Sequence, residues 1–324
     1  MYQKTDNSAA SVFILTFAGR RTGMRFTMKK LFKGIMPALV TPIDKNGTFK
    51  SEVAESLLKW EISKGVHGFY INGATGEGLF LSEDVRKELA ETSIGICKGK
   101  VKVINHVGAV DTMSAIRLAK HAGEIGCDAI SSLVPNYLTT YTTDQVLDYY
   151  KRISDASGLP VLVYCKGNVG TTPYEFMKRV MNVNGLIGCK YTMFDYYSMH
   201  RITELNGGDI NVINGPDEML ICGLTMGADG GIGSTYNIMG DWFVDLYNKY
   251  RSGDFEGARE VQFRINKVIA VILKYNCIPA LKAALTLQGF NIGDVAYPGK
   301  VFSAEELEQF RKEMAEAGYS IIVG

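Results

Sequence analysis

Short apolar runs alternate with longer amphipathic segments from Lys30 onward. We interpret eight of the apolar runs as strands, at residues 35–40, 68–72, 101–107, 129–134, 160–164, 186–191, 210–214 and 227–233. Helical periodicity lies between them, for example at residues 52–64, 83–97, 112–125, 143–156 and 174–181. Nearly continuous apolar strands that alternate with helices are typical of parallel strands buried on both faces. The pattern predicts a (β/α)8 barrel, the TIM-barrel fold of the α/β class, with an open doubly wound sheet as the alternative.

The strand pattern stops after Gly240, and helices are predicted at residues 242–252, 255–275, 278–287 and 304–317. We take the first of these as the last barrel helix and the others as a C-terminal helical appendix. The predicted catalytic barrel therefore spans residues 30–254, and the helical segment at 255–324 packs on it, because no low-complexity linker separates the two. We expect residues 1–29 to be a loose N-terminal extension, with Met24 or Met28 as the true start.

Composition narrows the possible partners. The chain has 46% hydrophobic and 21% charged residues and a formal net charge of +1, so no electrostatic feature favours nucleic acid or an anionic membrane. An apolar stretch near the N-terminus is too short to span a bilayer. Six cysteines and four histidines show neither C-x-x-C nor H-E-x-x-H spacing. We therefore expect a cytoplasmic protein with reduced thiols, no metal and no cofactor.

The active site of such a barrel lies at the carboxyl ends of its strands. The sixth strand has a lysine, Lys190, within an otherwise apolar run. Burial lowers the pKa of an ammonium group, and a neutral amine can condense with a ketone to form a Schiff base. The alternative is that Lys190 lies beyond the strand end and reaches solvent.

Three other strands end in, or lead into, residues that could bind a substrate or transfer protons. The second is followed by a glycine-rich turn, Asn72 to Gly78, whose backbone N–H groups and Thr75 hydroxyl could hold a carboxylate or a phosphate. Such turns also occur for purely geometric reasons. Tyr164 ends the fifth strand and Tyr137 follows the fourth; each could transfer protons, or could simply pack in the barrel or its rim.

The last two strands lead into further polar residues. Asp217 and Glu218 follow the seventh strand, and a glycine-rich loop with hydroxyl groups, including Ser234, follows the eighth. These groups could hydrogen-bond a polyhydroxylated substrate. Asp217 could instead, or in addition, cap the helix that follows it.

Taken together, these residues match the pattern of a known enzyme superfamily. From about Lys30 to Pro298 the chain resembles the dihydrodipicolinate synthase/N-acetylneuraminate lyase superfamily, and the lyase branch more closely. The general marks are Pro37-Ala-Leu-Val-Thr-Pro42, Gly73-Ala-Thr-Gly-Glu77, Val163-Tyr164 and Gly188-Cys-Lys190. The marks of the lyase branch are Lys190-Tyr-Thr192, Asn214-Gly-Pro-Asp-Glu218 and Gly227-Ala-Asp-Gly-Gly-Ile-Gly-Ser-Thr-Tyr-Asn237.

The resemblance implies a class I aldolase that cleaves N-acetylneuraminate to N-acetylmannosamine and pyruvate. Lys190 would form the Schiff base, and Tyr164 would move protons. Tyr137 would join the proton relay of a neighbouring subunit in a homotetramer. The residues implied in substrate binding are Ala74, Thr75, Thr192, Gly215, Asp217, Glu218, Ile232 and Ser234.

Departures from the family pattern leave the substrate open. Ala74 stands where the family usually has a hydroxyl that bonds to the catalytic tyrosine, so the relay is incomplete or passes through water. Shortly after Tyr164 the only basic residue is Lys166, whereas the synthase uses an arginine there to hold a second carboxylate. The alternatives are another pyruvate-dependent member, such as a sugar-acid aldolase or dihydrodipicolinate synthase, or a non-catalytic keto-acid binder.

Overall fold

The computed structural model describes residues 30–135, 141–167, 171–296 and 302–320. Its strands are β1 (Gly34–Pro37), β2 (Gly68–Ile71), β3 (Lys102–His106), β4 (Ala129–Leu133), β5 (Val161–Cys165), β6 (Leu186–Tyr191), β7 (Asn211–Asn214) and β8 (Gly230–Gly233). Its helices are α1 (Ser51–Ser63), α2 (Glu83–Cys97), α3 (Thr112–Ile125), α4 (Thr143–Ser157), α5 (Pro173–Val180), α6 (Tyr196–Thr203), α7 (Leu220–Thr225), α8 (Tyr236–Ser252), α9 (Phe255–Lys274), α10 (Cys277–Leu287) and α11 (Ala304–Glu316).

The eight strands form a parallel sheet that closes on itself. Their order is β1-β8-β7-β6-β5-β4-β3-β2. A parallel bridge between Ala38 and Tyr70 joins β1 to β2, and the Leu39 amide donates to the Tyr70 carbonyl at 2.9 Å. Strands alternate with helices along the chain, so the predicted TIM barrel is confirmed and the open sheet is excluded.

Apolar side chains pack on both faces of the barrel sheet. The strands point one set of residues inward, and these pack in the barrel interior, as Met36, Leu162 and Ile213 do. The other set packs outward against the helices. Lys30 closes the amino-terminal end of the barrel with an ion pair of 2.8 Å to Asp229.

A glycine in β6 changes which face the end of that strand presents. The pairing with β5 shifts register between Val161 and Leu162, so that Val161 lies opposite Leu186 but Leu162 lies opposite Gly188. Ile187 points into the barrel, and strict alternation would then turn Lys190 outward. The extra residue is a β-bulge, which directs Lys190 inward instead.

The C-terminal helices share a core with the barrel. Ile265 of α9, Leu281 of α10 and Phe310 of α11 belong to one apolar cluster with Leu57 of α1 and Phe243 of α8. Among the described residues no single helix has the length and hydropathy to span a membrane; α9 and α10 reach these only together, and the chain bends by 109° between them.

The eighth barrel helix begins six residues before the predicted start. It runs from Tyr236, not from Trp242: residues 236–240 are all buried and so show no amphipathic alternation, and a kink at Met239 separates this first turn from the rest of the helix. The eighth strand begins three residues later than predicted. Gly227 adopts a left-handed turn with φ +94°, and β8 starts only at Gly230.

Replacement of Gly188 tests the bulge. In Gly188→Ala the new Cβ would lie 1.8 Å from the Asn211 carbonyl oxygen, at a φ of +153° that an L-residue rarely adopts. We expect a loss of about 3 kcal/mol or more in the free energy of unfolding, measured by urea denaturation. Gly95→Ala, where a Cβ meets nothing within 4 Å, is the control. Equal stability of the two variants would contradict the bulge.

Candidate active site

Lys190 lies inside the carboxyl end of the barrel. Its side chain is 5% exposed, and Nζ lies 4.3 Å from the centre of the Tyr164 ring and 4.5 Å from that of Tyr70. Burial lowers the pKa of Lys190 to about 7; the charge of Asp217 opposes this shift, and that of Lys166 adds to it. A large share of the amine is therefore neutral near physiological pH, as Schiff-base formation requires.

Tyr164 is the partner of Lys190 across the two neighbouring strands. The two residues are in register between β5 and β6, and Tyr164 is 4% exposed. Burial raises the pKa of Tyr164, while Lys166 and the nearby Thr192 hydroxyl lower it. The phenol is consequently protonated at neutral pH and lies against the amine.

Thr192 and Gly215 fit tightly together where β6 and β7 end. The Thr192 amide donates to the Cys165 carbonyl at 2.8 Å, and the Gly215 amide donates to the Tyr191 carbonyl at 2.8 Å. A Cβ on Gly215 would lie 1.9 Å from the Thr192 hydroxyl oxygen. The glycine therefore leaves the space that this hydroxyl occupies.

The turn after β2, residues 73–78, is closed by its own backbone. The Glu77 amide donates to the Ala74 carbonyl and the Gly78 amide to the Gly73 carbonyl, each at 3.1 Å. A Cβ on Gly78 would lie 2.0 Å from the Asn72 carbonyl oxygen, so only glycine fits this position. We call residues 73–78 the cradle, because such turns present backbone N–H groups to an anion.

The cradle is joined to the loop after β8 through two hydroxyl groups. The Thr75 and Ser234 hydroxyl oxygens lie 2.6 Å apart. Ile232 is fully buried in the barrel interior, two residues before Ser234. Three of the residues expected to bind substrate therefore lie at the carboxyl ends of β2 and β8, the two strands that flank β1.

One alternative predicted that Asp217 caps the helix that follows it, but the side chain of Asp217 bonds elsewhere. It makes no capping bond to the 3-10 turn that it begins, Asp217–Met219. Its Oδ2 instead accepts from the amide and the hydroxyl of Thr235, each at 2.7 Å, so it joins β7 to the start of α8. The capping alternative was wrong. Burial raises the pKa of Asp217 to about 6, and Glu218 beside it is half-buried.

An open cavity of about 280 Å³ lies between the cradle and Tyr164. Ala74 is exposed there, and the lining includes Leu133, His106 and Ile278. The missing hydroxyl at position 74 therefore borders open space next to the tyrosine.

Two aromatic neighbours of Lys190 were missed in the sequence. The Tyr70 hydroxyl donates to Ser131 Oγ at 3.0 Å, and its ring lies beneath the Lys190 amine. His106 Nε2 accepts from the Leu133 amide at 3.0 Å, and burial lowers the pKa of His106 to about 3, so it is neutral. Both carried a usable signal, because Tyr70 lies near the carboxyl end of β2 and His106 is the last residue of β3, and the site of such a barrel is expected at these strand ends.

The predicted site residues other than Tyr137 thus lie at or just beyond the carboxyl ends of β2, β5, β6, β7 and β8. Tyr137 lies outside the described residues. Among the described residues, no group of three or more His, Cys, Asp and Glu side chains is placed to hold a metal ion.

A buried amine beside a tyrosine and an anion cradle, at the mouth of a TIM barrel, has the features of a class I aldolase site. Comparison with known proteins narrows this class. The chain belongs to the Dihydrodipicolinate synthetase family, which it matches over residues 31–317. It is a pyruvate-dependent class I aldolase, a lyase of this family.

Three similar proteins are named N-acetylneuraminate lyase. The chain is 33% identical over 285 residues to an N-acetylneuraminate lyase from Rhizobium meliloti, covering 87% of this chain and 94% of that protein. It is 36% identical over 262 residues to one from Citrobacter koseri, covering 80% and 87%. The solved N-acetylneuraminate lyase of Aliivibrio salmonicida has a TM-score of 0.84 at 28% identity, covering 90% of this chain and 98% of that one.

The pKa of Lys190 gives a pH prediction. Below pH 7 the amine is mostly charged and cannot attack a ketone, so trapping of pyruvate by borohydride should accelerate as pH rises through about 7 and level off near pH 8. The measurement is the initial rate of adduct formation on Lys190, followed by mass spectrometry.

Two variants serve as controls for this profile. Lys190→Met should give no adduct at any pH. Lys166→Met removes a charge that lowers the pKa of Lys190, so its midpoint should move to higher pH. A flat profile between pH 6 and pH 8 in the unsubstituted protein would contradict a lowered pKa.

Proposed function

We propose that this protein cleaves N-acetylneuraminate to N-acetylmannosamine and pyruvate. The observation that carries the proposal is the burial of Lys190 Nζ against Tyr164, in a chain whose similar proteins are named N-acetylneuraminate lyase. The lyase marks at Thr192 and along the loops after β7 and β8 support the same substrate.

The proposed reaction begins at the C2 ketone of the open-chain sugar acid. The neutral Lys190 amine attacks this carbon, water leaves, and a protonated imine remains. The C3–C4 bond then breaks: its electrons move into the imine to form an enamine, and the C4 hydroxyl loses its proton as N-acetylmannosamine departs. The enamine takes a proton at C3, and water releases pyruvate and the free amine. Tyr164 is the proposed proton carrier at both stages.

Each part of the substrate has a proposed binding region. The cradle amides and the Thr75 hydroxyl would hold the carboxylate, with Ala74 and the backbone of Ile232 nearby. The sugar portion would lie against Thr192, Gly215, Asp217, Glu218 and Ser234. Because one oxygen of Asp217 already accepts from Thr235, only its other oxygen is available to a sugar hydroxyl.

We further propose a homotetramer in which Tyr137 of one subunit completes the relay of another. The cavity beside Ala74 and Tyr164 offers room for such a side chain. A cytoplasmic location is part of the proposal, and the six cysteines, each a free thiol, are compatible with a reducing compartment.

The direct test is release of pyruvate from N-acetylneuraminate, coupled to lactate dehydrogenase and NADH. We expect pyruvate from this substrate, and none from it with Lys190→Met. The same assay with several keto-deoxy sugar acids, and condensation of pyruvate with aspartate semialdehyde, tests the second candidate, another pyruvate-dependent aldolase. The replacement of the usual relay hydroxyl by Ala74 motivates a third alternative, a non-catalytic keto-acid binder, for which no substrate in this assay would release pyruvate. Activity confined to a different keto acid would overturn the proposed substrate.

Restoring the missing hydroxyl is a second test. Ala74→Ser should raise kcat by up to about tenfold, because a hydroxyl beside Tyr164 would connect the phenol to the relay. KM should change little, since the cradle amides are unaltered. An unchanged kcat would mean that water already transfers the proton.

Mixing subunits tests the role of Tyr137. Tyr137→Phe should lower kcat by about 100-fold. When subunits carrying only Tyr137→Phe are refolded together with subunits carrying only Lys190→Met, mixed tetramers should regain activity, because some sites then combine an intact Lys190 with an intact partner tyrosine. No recovery would show that Tyr137 does not act across subunits.

A further inference from the structure

A buried ion pair connects the cradle to the C-terminal helices. Lys282 Nζ lies 2.7 Å from Glu77 Oε1, with the two side chains 3% and 0% exposed. Glu77 Oε2 accepts from the Ala296 amide at 2.5 Å, and Lys282 also donates to the Asp294 carbonyl. The glutamate belongs to the cradle, whereas the lysine lies on α10, so the contact crosses from the barrel to the helical segment.

The packing of α10 does not need this pair. Leu281, Ala284 and Leu285 of the same helix are fully buried in the apolar cluster shared with the barrel. Removing two charges from water is costly, and a buried pair contributes little net stability compared with apolar residues of similar size. The pair, together with the Ala296 amide, holds the Glu77 carboxylate in one place.

That place is the end of the cradle turn. Glu77 has a φ of +57°, which is strained for a residue with a side chain, and its amide closes the turn by donating to the Ala74 carbonyl. If the glutamate side chain lost its anchor, the backbone at Glu77 could relax, and the N–H groups of the cradle would turn with it. The same helix also reaches the site directly, since Ile278 lies one turn before Lys282 and lines the cavity beside Tyr164.

We propose that Lys282 is a positioning residue: through Glu77 it fixes the cradle that holds the carboxylate of the keto acid. This inference rests on the proposed function, in which pyruvate binds at the cradle and reacts with Lys190. Residues of the C-terminal segment thereby contribute to substrate affinity without touching the substrate.

The first experiment uses borohydride trapping on Lys190 over a range of pyruvate concentrations. In Lys282→Met the half-saturating concentration should rise about tenfold, which corresponds to roughly 1.4 kcal/mol of binding free energy, while the trapping rate at saturation stays within about twofold. The control is Lys274→Met. It breaks a more exposed ion pair, Lys274–Glu313 at 2.7 Å, that lies wholly within the C-terminal segment, and it should bind pyruvate normally.

A second ligand separates positioning from general damage. Acetone is pyruvate with a methyl group in place of the carboxylate, so its trapping on Lys190 should be the same in Lys282→Met and in the unsubstituted protein. A merely structural role would slow both ketones together or leave both unchanged, and either result would overturn the proposal.

A double variant that lacks both charges keeps the test possible if Lys282→Met alone does not fold. Lys282→Met alone leaves the Glu77 charge buried without its partner, whereas Glu77→Gln/Lys282→Met removes both charges and should melt closer to the unsubstituted protein. We expect the double variant to retain the raised half-saturation for pyruvate. A normal half-saturation in the folded double variant contradicts the positioning role. If the unsubstituted protein itself traps no pyruvate, the proposed function fails instead.

Discussion

The chemistry of this protein depends on one lysine being turned into a dry barrel interior. That orientation is not produced by ordinary strand alternation, which would place Lys190 on the same side as the outward-packing residues of β6. The bulge at Gly188 reverses the face, and the amine then lies against the rings of Tyr70 and Tyr164. Without this local irregularity the ammonium would enter the apolar layer beneath the helices, where it has no function and a high desolvation cost.

At the mouth of the barrel, two glycines leave room for polar side chains of the site. A Cβ on Gly215 would collide with the Thr192 hydroxyl, and one on Gly233 would lie 2.2 Å from Asp217 Oδ1. The glycine-rich ends of the last strands therefore serve close packing of polar side chains as much as they serve turns. This explains how a narrow barrel mouth contains so many hydrogen-bonding groups.

The sequence was sufficient for the barrel and for the residues at its mouth, because parallel buried strands give continuous apolar runs and their carboxyl ends define the site. Lys190 and Tyr164 were found in this way. The bulge was not predicted, although a glycine inside a strand is a known sign of one. The Glu77–Lys282 pair and the Asp217–Thr235 bonds depend on contacts between residues far apart in the chain, which no local pattern encodes.

The Asp217–Thr235 bonds also bear on the charge of Lys190. Asp217 is the carboxylate that opposes the lowered pKa of Lys190, and a direct ion pair between the two would keep the amine charged. The structure has no ion pair between these two described residues; Thr235 instead holds Asp217 Oδ2 in two hydrogen bonds against the start of α8. The neutral histidine at position 106 adds no charge of its own. Burial is therefore the dominant influence on the pKa of Lys190, and it leaves the amine able to react.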